Sequence, residues 1–290
     1  MSSKFPIIAL TGASGAGKTN IKEIFRQLFI EMAIKAYFIE GDSFHKYSRK
    51  EMDDKKRDSS DITHFSPEAN LLEELENLFQ DYSRTGTGKA RHYIHTHEDS
   101  VKYQTKVGHF TNWKEFETPV NLLFYEGLHG GYADGKVNIA RHVDLLIGVA
   151  PLINLEWMQK IKRDELVRGH SKDNTMEMIM HRLPHYAKYI CSQFSRTDAN
   201  LQRIPLIDTS DPFSDQNVPD DTKSLFLLEI KKPEKFPIEL CSVKDQIPGS
   251  FLSTPNTIIS PATSLDKLLT NVFSPTINRL ASNILNNLEI

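Results

Sequence analysis

The sequence predicts an α/β fold in three layers, with a mixed sheet whose core is parallel and helices on both faces, and three observations carry that reading. Short apolar runs alternate along the chain with segments of helical periodicity. The first run leads into Gly12, Ala13, Ser14, Gly15, Ala16, Gly17, Lys18 and Thr19, which fit G-x-x-x-x-G-K-[ST] at every specified position. Two further runs end near Asp42 and Glu126. Ligands of such sheets collect beyond the carboxyl ends of the strands, so the topology brings these three groups together. The glycine-rich motif makes this a P-loop NTPase fold.

Residues 6–11 (PIIALT) have the length and apolarity of a strand, and residues 20–32 follow as a helix with Ile21, Ile24, Phe25, Leu28 and Phe29 on one face. In the loop between them the glycines permit a tight turn and backbone N–H groups face a phosphate. Lys18 reaches the terminal phosphate oxygens and Thr19 offers a hydroxyl to magnesium. A ligand-free turn would serve the same junction but has no need of lysine followed by threonine. A second strand over 36–40 ends beside Asp42, His45 and Arg49. Residues 46–63 are densely charged and poor in apolar side chains, which reads as an exposed, mobile segment. Pro67 then starts a helix with Leu71, Leu72, Leu75, Leu78 and Phe79 at helical spacing, closed by Gly86.

The apolar runs at 120–125 and 143–149 read as buried parallel strands. A helix over 152–168 carries Glu156, Lys160, Arg163, Asp164 and Arg168; another runs from Ser171 toward Ile190 and is bent by Pro184. Strands at 204–207, 225–230 and 257–259, a helix near 236–246 and a final helix from Ser264 complete the chain.

We read the 290 residues as one domain, 1–290, with a C-terminal strand and helix elaboration. A net charge of −3 gives no support for a nucleic-acid or membrane surface. With no secretory h-region and no apolar stretch long enough to span a bilayer, a cytoplasmic location is expected. Cys191 and Cys241 are far apart and form no C-x-x-C pair, against a disulfide framework or structural zinc. His92, His95 and His97 lack a second ligand cluster at zinc spacing, so a polar loop near a phosphorylated substrate is expected there.

Phosphoryl transfer needs phosphate donors, magnesium ligands and a carboxylate that accepts a hydroxyl proton, and Asp42 and Glu126 are the candidate carboxylates. On the 152–168 helix, Glu156 with Lys160, Lys160 with Asp164 and Asp164 with Arg168 are i,i+4 pairs. By spacing alone, a solvated ion-paired face and a functional face are equally good readings. Lys102, Lys106 and Lys114 read as surface charges.

The strings IEGDSFH at 39–45, HFSPEAN at 64–70, LFYEGLHG at 123–130, INLEW at 153–157, QFSRT at 193–197 and DTSDPF at 208–213 resemble the bacterial branch of the phosphoribulokinase/uridine kinase family. The similarity covers nearly the whole chain. It implies an adenylate-kinase-like lid, a homo-oligomer, and ATP and Mg2+ as cofactors. The implied reaction is ATP-dependent phosphorylation of the primary 1-hydroxyl of D-ribulose 5-phosphate, with neither nucleic acid nor membrane as partner. By motif position, Asp42 would be the general base, with Lys160 and Asp164 also catalytic. The loop from Gly12 to Thr19, with Arg163 and Arg168 from the lid, would hold ATP; His45, Arg49 and Arg182 would hold the sugar phosphate; Thr19 and Glu126 would hold magnesium. The chain departs from the resemblance at Lys18, where these bacterial members commonly have Thr, and at His181, where two adjacent arginines are usual. Two alternatives remain open: a uridine kinase-like nucleoside kinase, with Tyr93 or Phe110 stacking on a base, and a nucleotide-binding regulatory protein with little kinase activity.

Overall fold

The computed structural model describes residues 4–58, 61–116, 120–214 and 217–288, apart from the side chains of 58, 168 and 283–288. The first strand, β1 (Ile7–Thr11), is buried at every position. It leads through the P-loop into α1 (Lys18–Glu31), whose Ile21, Phe25, Leu28 and Phe29 are buried. Next come β2 (Ala36–Glu40), α2 (Arg49–Asp58) and α3 (Leu72–Thr85). A small hairpin follows, β3 (Lys89–Ala90) with β4 (Lys114–Glu115), enclosing α4 (His97–Tyr103). Then come β5 (Leu122–Gly127), β6 (Leu145–Val149), α5 (Ile153–Arg168) and α6 (Lys172–His185). The C-terminal third holds β7 (Ala199–Pro205), β8 (Ser224–Ile230), α7 (Leu240–Asp245), β9 (Phe251–Thr254), β10 (Thr257–Pro261) and α8 (Leu265–Leu288).

Among the described residues, eight strands form one sheet in the order β2-β5-β1-β6-β7-β8-β10-β9. The first five are parallel to one another, and β8, β10 and β9 extend the sheet through antiparallel pairs. Along β5 the side chains alternate between faces. Leu122 and Phe124 join Phe25, Phe29 and Phe273 in the core beneath α1 and α8, while Leu123 and Tyr125 join Leu75 and Phe79 beneath α3. In register, Thr11 stands opposite Gly127 and Glu40 opposite Glu126, so the P-loop, the Asp42 turn and Glu126 leave the sheet at one edge.

Several boundaries differ from the sequence reading. Residues 49–58 of the charged segment are helix α2, opened by a capping box in which Ser48 Oγ accepts from Glu51 N–H and Glu51 Oε2 accepts from Ser48 N–H. Met52 is its buried anchor. Pro67 opens only the 3-10 turn Pro67–Ala69, and α3 begins at Leu72. Strand β7 lies earlier than the 204–207 run, because Ala199 and Leu201 are the residues that enter the core. Pro237 stands ahead of α7, which starts only at Leu240 and ends at Asp245. Past Pro184, α6 passes into a π-helical turn, Tyr186–Ile190, and a 3-10 turn, Cys191–Ser195. Among the described residues no helix is long and apolar enough to cross a membrane.

Candidate active site

The P-loop wraps the end of β1 with Gly15 at φ +103° and Gly17 at φ +87°, conformations that L side chains rarely adopt. A Cβ on Gly15 would lie 3.0 Å from Lys160 Cβ, so the loop rests directly on α5. Lys18 is nearly buried; its Nζ donates to Ala13 O at 2.9 Å and lies 3.3 Å from Glu126 Oε1. Lys22, one turn along α1, pairs with Glu40 at 2.8 Å and approaches Glu126 at 3.6 Å. Burial works against its charge, but the two carboxylates outweigh it and raise its pKa. Thr19 is exposed on the wall of a cavity of about 590 Å³, which Ser14, Gly15, Gly17, Lys18 and Glu126 also line.

Asp42 lies in the 3-10 turn Gly41–Phe44 at the end of β2. A Cβ on the preceding Gly41 would fall 2.5 Å from Tyr125 Oη and 2.8 Å from Gly127 Cα, so only glycine lets the turn cross the end of β5 this closely. The Asp42 carboxylate faces two imidazoles: His45 Nε2 lies 3.2 Å from Oδ1, and His95 Nε2 lies 3.1 Å from Oδ2. Burial favours the neutral acid, but His45 and His95 more than compensate and hold its pKa well below the usual carboxylate range. Asp42 is therefore an ionised carboxylate on the cavity wall.

His95 reaches this position through Arg91, which donates to Ser43 O at 2.8 Å and to His45 O at 2.7 Å, and lies over the rings of Phe110 and Trp113. The segment around β3, α4 and β4 is thereby fastened to the Asp42 turn. Of the three histidines in the polar loop, only His95 lines the cavity; His92 stacks on Tyr103, and His97 opens α4. No group of three or more His, Cys, Asp or Glu among the described residues could hold a metal ion. Tyr93 lines the cavity, whereas Phe110 packs against Tyr93 and Arg91.

Helix α5 settles the ambiguity of its charges. Glu156, Lys160 and Asp164 are 4%, 5% and 1% exposed, whereas Leu166 and Val167 are 74% and 67% exposed, so the charged face points inward. Lys160 is salt-bridged to Asp164, and Arg163 donates both to Asp164 Oδ1 at 2.7 Å and to Ser14 Oγ at 2.9 Å. Burial pulls Lys160 down to about 8 despite Asp164, while Lys160 and Arg163 outweigh burial at Asp164 and bring it to about 2. Arg163 and Asp164 line the cavity, and Lys160 lies behind them. The Arg168 side chain lies outside the described residues.

Arg49, Lys56, His170 and Arg182 also line the cavity, with Met52, Met178 and Asp53, whose carboxylate lies 3.3 Å from Lys56 Nζ. Arg49 is held at the start of α2 by its N–H, which donates to Gly108 O at 2.8 Å. The structure thus gathers Ser14, Gly15, Gly17, Lys18, Thr19, Asp42, His45, Arg49, Glu126, Arg163, Asp164 and Arg182 around one cavity. Lys22, Lys56 and His170 join them without having been singled out, and His95 joins them from the polar loop read in the sequence.

The profile of the phosphoribulokinase/uridine kinase family matches residues 7–210. This chain belongs to that family. A phosphoribulokinase of Sinorhizobium medicae is 45% identical over 284 residues, and the chromosomal phosphoribulokinase of Cupriavidus necator is 42% identical over 285; each match covers 97% of both chains. The fold superposes on the phosphoribulokinase of Rhodobacter spheroides with a TM-score of 0.87 and 38% identity, over 98% of this chain and 99% of that one. The family profile spans the P-loop, the Asp42 turn, Glu126, α5 and α6.

Proposed function

We propose that this chain transfers the γ-phosphoryl group of ATP to the primary 1-hydroxyl of D-ribulose 5-phosphate. The observation that carries the reading is the match along almost the full length to proteins named phosphoribulokinase, in a chain whose P-loop, ionised Asp42, Arg49 and Arg182 face one cavity. The P-loop from Gly12 to Thr19 binds the nucleotide phosphates, and Arg163, already bonded to Ser14, closes over them with Arg168. Arg49, Arg182 and His45 receive the sugar phosphate. The two arginines favour a phosphorylated sugar over the neutral sugar of a nucleoside, the alternative that Tyr93 on the cavity wall would serve.

Asp42 accepts the proton of the attacking hydroxyl. A carboxylate with a depressed pKa is a weak base, but phosphoryl transfer proceeds through a loose transition state in which orientation matters more than base strength. Lys160 and Asp164 brace the helix that presents Arg163, and Lys160 adds positive charge behind the P-loop. The donor set suits Mg2+, which favours oxygen ligands from one or two side chains together with water and phosphate: the Thr19 hydroxyl and the Glu126 carboxylate would hold it. Held there, it would supply positive charge to offset that of the nucleotide phosphates.

The test compares ADP release from the purified protein with ribulose 5-phosphate and with uridine, in wild type and Asp42→Asn. We expect turnover with the sugar phosphate, little with uridine, and a loss of about 10²-fold or more in the variant with ATP binding retained. Turnover with uridine alone would establish the nucleoside-kinase reading, and ATP binding without transfer to either acceptor the regulatory one. Near-normal turnover by the variant would remove Asp42 from its role.

A further inference from the structure

The segment HFSPEAN at 64–70 has no part in the reading above, yet it is fastened to the Asp42 turn from both sides. Lys46 N–H donates to Ala69 O and Leu71 N–H to Phe44 O, each at 2.8 Å, and Asn70 stands opposite His45 in an antiparallel bridge. The buried Asn70 side chain fixes its own orientation. Its Nδ2 donates to His64 O at 2.9 Å and to Ser66 O at 2.8 Å, two carbonyls that can only accept. Oδ1 is therefore the atom that faces His45 Nδ1, at 2.8 Å. An amide oxygen only accepts, so Nδ1 must carry a hydrogen. The His64 ring lies 4.2 Å from that of His45, and burial, together with the charges of His45 and Arg182, keeps His64 neutral.

We propose that Asn70 is a positioning residue for phosphoryl transfer: it keeps a hydrogen on Nδ1 of His45, so that Nε2 is the nitrogen presented to Asp42. The Nδ1 hydrogen cannot move across the ring to fill the 3.2 Å contact between Nε2 and Asp42 Oδ1 without breaking the bond to Asn70. A hydrogen in that contact is an additional proton, held by His45 and Asp42 as a pair. Asn70 thereby sets both the ring angle and the proton inventory beside the carboxylate. The role in transfer rests on Asp42 as proton acceptor; the tautomer does not.

Two measurements on the full-length protein test the proposal. Long-range 1H–15N spectra of histidine-labelled protein, with His45 assigned by His45→Asn, should show Nδ1 protonated in the wild type from about pH 6 to 9 and a shift toward the Nε2–H tautomer in Asn70→Leu. This readout needs no substrate, so it stands whichever acceptor the enzyme uses and whether or not Asn70→Leu folds. A wild-type His45 with a bare Nδ1 overturns the proposal. In kinetics, Asn70→Leu should lower kcat/KM for the acceptor by about 10-fold to 100-fold with KM for ATP unchanged, and should add no further loss in a His45→Asn background. Equal fold losses in both backgrounds would mean that Asn70 only ties the segment in place.

Discussion

At the scale of single residues, Lys160 is the group through which pH should reach the reaction. Its pKa of about 8 is set first by burial, with Asp164 restoring only part of what burial removes, so the cation is present below about pH 8 and lost above it. We expect kcat/KM for ATP to fall as pH rises through about 8. Lys160→Arg, whose guanidinium stays charged, should remove that alkaline limb while lowering the plateau on the order of 10-fold to 100-fold, because a planar fork cannot occupy the place of a buried ammonium paired with Asp164. A pH–rate profile checks this, and an unchanged limb in Lys160→Arg assigns it to another group. Lys18, Thr19, Asp42 and Glu126 were legible in the sequence because a motif or a strand end fixes where they stand. Lys22 was not, because it merely lies one turn beyond a recognised lysine; of His95 only its polar loop was, since its place beside Asp42 comes through Arg91 bonds between segments far apart in sequence.

At the scale of elements, α5 shows what spacing leaves undecided. The same i,i+4 charges suit a solvated face or a buried one, and only the packing of Gly15 on Lys160 selects the second. The charged composition that hid α2 hid Lys56 of the cavity with it, although Ser48 and Glu51 were a capping signature in plain view. Glu156 joins α5 to the π-helical turn, its Oε2 accepting from Tyr186 Oη at 3.2 Å. Burial raises this carboxyl from 4.5 to about 7, against the pull of Lys18, Tyr186 and Lys160. Because the folded pKa lies above the unfolded one, the folded state holds the extra proton between those values, and its stabilisation is lost as pH rises through about 7. Glu156→Gln lacks this dependence. Urea unfolding at pH 5 and pH 8 should show the variant gaining roughly 2–3 kcal/mol relative to wild type between the two, from 1.36 kcal/mol per pKa unit. Parallel behaviour of the two proteins would refute the assignment.

At the scale of the whole molecule, β1, β2, β5 and β6 of the parallel half of the sheet were readable because each is a short apolar run leading toward a segment with chemistry, whereas β7, the fifth parallel strand, was read late, at 204–207. Of the antiparallel half, β8 and β10 were readable only as strands and β9 was not read: an apolar run carries no direction, and the partners of β8 follow from contacts that local sequence does not encode. One buried carboxylate helps to fasten the halves together. Asp198, at the start of β7, accepts from Leu146 N–H of β6 at 2.8 Å, from Lys232 Nζ at 2.6 Å and from Lys235 Nζ at 2.7 Å, while Lys235 Nζ also donates to Asp144 O at 2.8 Å. These contacts tie β6 and β7 to the segment after β8, at the end of the strands opposite the P-loop. Asp198→Ala leaves a buried N–H without its acceptor and two lysines without their counter-ion, although both lysines are partly exposed and can turn to water. We therefore expect a loss of about 2–4 kcal/mol in denaturant unfolding, below the cost of a fully buried broken pair. The KM values for both substrates should be unchanged in the folded variant, because the site is built at the other end of the same strands. A variant of wild-type stability would mean that side-chain packing between β7 and β8 holds the halves together without this charge cluster.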